Sequence, residues 1–186
     1  MLIPMNTTAL RHAEAERPLT EVIDAVTPEG WDRPSPCEDW TTRDVLAHII
    51  DTQRDFLLGR GLDPGDRPDL ADPAAAWHRH TAEVARILAD DTVPATEYDG
   101  YFGSTTIGAT FEQFYVWDLL VHRWDLATGA GLGADLTDAE LDRIDAGADS
   151  FGDSLHLEGV CKPAVDAESS DRQARVLARL GRRAAR

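Results

Sequence analysis

Residues 106–129 read TIGATFEQFYVWDLLVHRWDLATG, and the interpretation of this stretch decides the rest. Phe111, Phe114, Tyr115, Trp117, Leu119, Leu120, Val121 and Trp124 leave it apolar almost all round, the pattern of a buried helix. Thr105 or Thr106 can cap its start, and Gly129 stands where a helix C-terminus wants a glycine. Asp118, His122 and Asp125 lie four and three residues apart, which places them on one stripe. A buried carboxylate costs several kcal/mol unless it is paired or bound to a cation, so these three must satisfy one another or hold something. Arg123 is a further possible partner. The helix by itself leaves both readings open: an internal Asp–His hydrogen bond, or part of a metal site.

Upstream, residues 27–40 (TPEGWDRPSPCEDW) form a loop, since they hold three prolines and a glycine. Trp31 and Trp40 predict that the loop is pinned to a core. Thr41 and Asp44 form a T-x-x-D variant of the capping box, and Trp40 and Val45 fit a hydrophobic staple. The resulting helix runs to about Leu58, with Val45, Ile49, Phe56 and Leu57 on its inner face and His48 at the edge of that stripe. Residues 6–26 are helical, with Leu10, Ala13, Val22, Ile23 and Val26 as apolar candidates. Pro18 kinks this helix or marks its true beginning, and His12, in the ragged first part, is expected to be exposed. After a polar crossover (59–72), Asp72 and Pro73 start a third helix to about Ala89, with Trp77, Val84, Ile87 and Leu88 inside. His78 and His80 are two apart and face different ways, a poor joint metal pair. Residues 90–104 form a second long connection.

Downstream, TDAE at 137–140 is a full capping box and opens a helix over roughly 138–152. LHLEGVCKPAVDAES reads as irregular, and a last helix spans Ser170–Leu180. Strand signals are weak throughout. The expected fold is all-α: a four-helix bundle with long crossover connections, residues 1–131 forming the bundle and 132–186 a short C-terminal helical appendage packed on it.

The totals narrow the function. The chain has 186 residues and 42% hydrophobic residues, enough for one sizeable core. With 34 Asp+Glu against 18 Lys+Arg the net charge is −16, which disfavours nucleic acid as a partner. The basic end, RQARVLARLGRRAAR, reads as a solvated helix face. No apolar run reaches the ~18–20 residues of a membrane span, and the N-terminus lacks a signal-peptide pattern, so a cytoplasmic protein is expected. Cys37 and Cys161 are read as two unpaired structural thiols.

His48 lies on a different helix from Asp118 and His122. Metal sites in bundles are built from inward side chains on facing helices, and two imidazoles with one carboxylate make a three-ligand site with open positions. Residues 31–50 (WDRPSPCEDWTTRDVLAHII) and 117–129 (WDLLVHRWDLATG) resemble the mycothiol-dependent maleylpyruvate isomerase N-terminal domain family, part of the DinB-like superfamily of metal-binding four-helix bundles. The end of the chain resembles a short actinobacterial metal-binding branch, and only 55 residues follow Gly131, whereas the full isomerases carry a second domain there. The resemblance implies a divalent metal, zinc before Ni2+ or Fe2+, held by His48, Asp118 and His122. Asp118 stands where the isomerases carry Glu, one methylene longer. Asp125 then orients a ligand or braces a neighbouring helix. The implied chemistry is activation of a low-molecular-weight thiol, mycothiol, for addition or transfer to, or isomerisation of, an electrophilic small molecule. Tyr101, Tyr115 and His80 are candidates to line the pocket. The alternatives are a metal-water hydrolase or lyase, a non-catalytic metal- or small-molecule-binding bundle, and an iron site for oxygen chemistry. A homodimer is compatible with this reading.

Overall fold

The structure is a computed structural model that describes residues 5–101, 103–157, 159–167 and 169–183. The order of elements is α1 (Thr7–Ala25), a 3-10 turn (Pro28–Asp32), α2 (Thr42–Leu58), α3 (Pro73–Leu88), α4 (Thr92–Ala95), β1 (Glu97–Gly100), β2 (Gly103–Thr106), α5 (Ile107–Thr110), a π-helical stretch (Phe111–Val116), α6 (Trp117–Ala130), α7 (Asp138–Phe151), a 3-10 turn (Gly152–Ser154) and α8 (Arg172–Arg179). The protein is mostly helical, as the apolar periodicity predicts. Its residues gather into two compact units: Met1–Ala25 with Leu46–Leu119, and Val26–Val45 with Leu120–Arg186. Among the described residues no helix is long and apolar enough to cross a membrane.

In the first unit, α1 packs along α3. Leu19 and Ile23 of α1, Trp77, Val84 and Leu88 of α3, Ile49, Ile50 and Leu57 of α2, and Phe111 are all buried. The indole N–H of Trp77 donates to Thr20 Oγ1 at 2.7 Å, so the largest core side chain buries no orphan donor. Helix α1 runs through Pro18 rather than starting there. Thr8, His12, Ala15, Leu19 and Ile23 are buried on its inner stripe, and packing on both sides of the proline offsets its helix-breaking cost of ~3 kcal/mol. His12 is therefore not exposed as expected: it is buried against Phe111, ring centroids 5.5 Å apart. Leu10 instead faces solvent.

The connection after α3 holds more structure than its composition suggests. Glu97–Gly100 and Gly103–Thr106 form an antiparallel hairpin with Glu97 opposite Thr106 and Tyr98 opposite Thr105. Tyr98 fixes it to the helix that follows, its hydroxyl 2.6 Å from Thr110 Oγ1. The long fourth helix of the sequence is also not uniform, because Phe111–Val116 has π-helical pairing.

In the second unit the loop before α2 closes on itself. The Ser35 N–H donates to the Trp40 carbonyl at 2.8 Å, and the Thr42 N–H to the Arg33 carbonyl at 2.9 Å. Trp31 is buried, as its pinning role requires, and Trp40 is half-buried. The Thr41 N–H donates to Asp44 Oδ2 at 2.9 Å and the Asp44 N–H to Thr41 Oγ1 at 3.2 Å, the reciprocal box anticipated for α2. The box at Thr137 and Glu140 forms likewise at α7. Arg123, 5% exposed, grips both Glu140 oxygens at 2.7 and 2.8 Å and so ties α6 to the start of α7. Arg172 and Arg179 of α8 pair with Asp138, Asp142, Asp145 and Asp149 of α7, so part of the basic end is committed to a neighbouring helix. Residues 184–186 of that end lie outside the described residues.

Helix α6 passes Gly129 and ends one residue later. Gly131 takes the left-handed conformation at φ +78°, and the Leu132 N–H donates to the Ala127 carbonyl at 2.8 Å. Gly129 serves a different purpose. A Cβ there would lie 2.6 Å from Thr42 Oγ1, 3.1 Å from Ser35 Cα and 3.3 Å from the Pro34 carbonyl oxygen. Gly129→Ala is expected to destabilise the protein by ~1–3 kcal/mol through overpacking against loop backbone. A urea midpoint unchanged from that of the parent would contradict this.

Candidate functional site

Helix α2 holds His48 three residues past Val45, at the boundary of the buried face. Its Nε2 lies 3.7 Å from Asp118 Oδ2, and both side chains keep partial solvent access, at 29% and 22%. Both residues belong to the first unit. His122 follows Asp118 by one turn of α6, on the same face of that helix. Of the three residues named from the sequence, His48 and Asp118 are adjacent, and the Asp118–His122 spacing is set by the helix itself.

His122 is 5% exposed and Asp125 is fully buried. His122 Nδ1 lies 2.9 Å from Asp125 Oδ2. Burial by itself would raise the Asp125 pKa, yet the Arg182 guanidinium and the His122 hydrogen bond hold it well below the usual carboxylate range. An ionised carboxylate can only accept, so the Nδ1 position carries the proton. In the neutral ring the lone pair then resides on Nε2. This is the arrangement in which a carboxylate orients an imidazole ligand and raises its basicity.

Two further residues enter here that sequence reasoning missed. Arg182 donates to Asp125 through Nη2 at 2.8 Å to Oδ2 and through Nε at 3.1 Å to Oδ1, and is itself 10% exposed in its side chain. Burial opposes the charge on Arg182, and Asp125 outweighs that and secures it. Cys37 Sγ lies 3.4 Å from Asp125 Oδ2, and Cys161 Sγ lies 3.8 Å from Arg182 Nη1. Neither thiol is in a disulfide, as expected, but both flank an ionic centre rather than merely filling apolar space. Arg182 carried no signal, being one basic residue in a run of them. Cys37 lies in the loop motif, 88 residues before the Asp125 it meets.

Cys37, His122 and Asp125 also bring three ligand-type atoms within 4.8 Å of one another. Their chemistry does not suit a cation. Asp125 Oδ2 already accepts from Arg182, His122 and Cys37, and a metal there would sit beside a guanidinium. This group is a hydrogen-bonded hub behind His122.

The other candidates disperse. His80 is buried, with Nε2 3.0 Å from Gln53 Oε1, and Nδ1 has no partner among the described residues. Desolvation first, then the Arg54 charge, pushes its pKa down to about 3. His78 is half-exposed and meets Asp24 at 2.8 Å. Tyr101 is 90% exposed at the hairpin tip. Tyr115 is half-buried against Phe56 at 4.8 Å, and burial pushes its pKa up to about 12. Arg123 pairs with Glu140 instead of with the stripe of α6.

A chain of mostly helical structure with an acid-x-x-x-His turn and a histidine set against the acid defines a helical domain of the DinB-like class. Residues 12–127 match the model of the mycothiol maleylpyruvate isomerase N-terminal domain, and the chain belongs to that family. Two uncharacterized proteins of Mycobacterium tuberculosis, from strains CDC 1551 / Oshkosh and H37Rv, are each 28% identical to it over 168 residues, covering 88% of this chain and 89% of the relative. No solved structure matches the chain.

Proposed function

We propose that this protein holds a divalent cation, zinc before other metals, through His48, Asp118 and His122, and uses it with a low-molecular-weight thiol, mycothiol, to modify an electrophilic small molecule by addition, transfer or isomerisation. The single observation that carries the reading is the His48–Asp118 approach of 3.7 Å, beside a His122 whose Nε2 is left as the lone-pair nitrogen by Asp125. Two imidazoles and a carboxylate are a donor set of the kind catalytic zinc takes, with positions left for a thiol or water. The shorter Asp118 fits, because its carboxylate already meets the His48 ring. A bound zinc ion would favour the thiolate over the thiol at neutral pH.

The chain's own residues then have separable tasks. His48 and Asp118 keep partial solvent access, so small molecules can reach that side of the site. His122 is shielded and fixed in orientation by Asp125, which Arg182 in turn holds ionised. The family match supports the thiol, since the matched domain's description names mycothiol.

The test has two stages. Elemental analysis of the purified full chain should find about one equivalent of metal, and His48→Ala should lose most of it, a drop of roughly tenfold or more in affinity. Metal-loaded protein incubated with mycothiol and electrophiles should give thiol-dependent products by mass spectrometry. Metal content unchanged by His48→Ala rules out the ligand set. Turnover that ignores the thiol would favour a metal-water hydrolase.

A further inference from the structure

Most of the buried and half-buried arginines among the described residues have oxygen partners. Arg123 grips Glu140, Arg182 grips Asp125, and Arg54 donates to the carbonyls of Pro64 and Gly65. Arg60, half-buried just past the end of α2, is different. Its guanidinium carbon stands 4.1 Å from the Phe56 ring centroid and 4.2 Å from that of Tyr98. Its Nε is buried and has no hydrogen-bond partner among the described residues, and no carboxylate among them lies within ion-pair distance.

Two aromatic contacts hold the plane of a guanidinium and strip water from it. The two rings, their centroids 6.2 Å apart, form a corner around the guanidinium, and its outer N–H groups are the donors left for an oxyanion. Holding such a cation partly desolvated without an anion is costly, and in a chain of net charge −16 a carboxylate partner would be easy to supply. The neighbouring ring of Tyr115, 4.8 Å from Phe56, leads from this place along the chain toward Asp118, one of the proposed ligands. It lies three residues before Asp118, and its hydroxyl is within the electrostatic reach of both Arg60 and Asp118. All of these residues belong to the first unit.

We propose that Arg60, held against Phe56 and Tyr98, is the docking point for an oxyanion, carboxylate or phosphate, on the small molecule that reacts at the Asp118 end of this unit. The second half of that statement rests on the metal reading of the preceding section, and the first half does not. Anchoring by a remote charged group leaves the reactive end free to be oriented, which is how binding energy away from the reacting atoms assists a reaction. The general acidity of the chain repels anions, so a local cation is needed for one to settle.

The experiment uses the full chain labelled with 15N-arginine, metal-free and zinc-loaded, titrated with acetate, inorganic phosphate and, as an uncharged control, acetamide. The Arg60 Nε–H resonance should shift with the two anions and not with acetamide. Arg60→Met should weaken anion binding by about tenfold or more, with zinc content and melting temperature close to those of the parent. Arg60→Lys, which keeps the charge and loses the planar fork, should fall between them. Anions that leave the Arg60 signal unmoved overturn the proposal, and so does an Arg60→Met protein that binds them as well as the parent does. If zinc fails to bind the parent while Arg60 still captures anions, the anchor stands and the metal reading falls. If zinc binds and the anions are ignored, only the anchor falls.

Discussion

Asp125→Ala is expected to cost the fold ~3–5 kcal/mol, one of the two largest effects anticipated in this protein. Asp125 is fully buried, and three donors converge on it: the Arg182 fork, the His122 Nδ1–H and the Cys37 thiol. Removing the carboxylate leaves a guanidinium with 10% of its side chain exposed and no countercharge. The penalty is that of an uncompensated buried ion and exceeds the net worth of the pair. This distinction can be tested. Asp125→Leu combined with Arg182→Met removes both charges together and should recover much of the stability. Urea denaturation of the single and double variants measures the difference. A single-variant loss under ~1 kcal/mol, the range of surface pairs, would contradict the burial argument.

The second large effect is sensitivity to mild acid. His12 and His80 are both buried in the first unit. Desolvation lowers the His12 pKa to about 4, and desolvation followed by the Arg54 and His12 charges lowers that of His80 to about 3, from 6.5 in each case. Both rings are therefore neutral in the folded chain where the unfolded chain would protonate them. Between pH 6.5 and about 4 the unfolded state binds more protons, so stability falls as pH falls. The contribution is complete above 6.5. It declines by roughly 1.4 kcal/mol per ring per pH unit below that, until His12 levels off near 4 and His80 near 3. By pH 5 the two rings together cost on the order of 4 kcal/mol. Denaturation midpoints at pH 7 and pH 5 check this, with a His12→Leu, His80→Phe double variant as control. A parent whose stability is flat over that interval, or a double variant that falls as steeply, would count against it.

Most of the helices were legible because their start signals are local. Thr41 with Asp44, Asp72 with Pro73, and Thr137 with Glu140 sit next to the backbone groups they cap, and all three pairs mark helix starts in the structure. The His48–Asp118 meeting was legible for a related reason: one residue edges an apolar stripe and the other interrupts one. The hairpin at 97–106 was not, since glycine, aspartate and serine carry little strand preference and the ladder arises from pairing. His12 was misplaced because Pro18 was given too much weight. The spacing Thr8, His12, Ala15, Leu19, Ile23 is helical, and Leu10, chosen for its chemistry, falls off that stripe. The hub at Asp125 takes His122 from its own helix, a spacing visible in the sequence, and Cys37 and Arg182 from distant parts of the chain, where nothing near either names the hub.

The wide turn at Phe111–Val116 has a bearing on how relatives of this chain can differ in length. One residue of an ordinary helix advances its side chains by about 100° around the axis, and a π turn absorbs roughly one extra residue. Shortening this segment by one residue would swing Phe111, and every side chain before it, around to another bearing while Asp118 stayed in place. The rings of Phe111 and Tyr115 could then not both meet Phe56, as they do at 6.1 and 4.8 Å. A relative that keeps the Asp–His turn but lacks the added residue would present a different wall to whatever approaches Asp118.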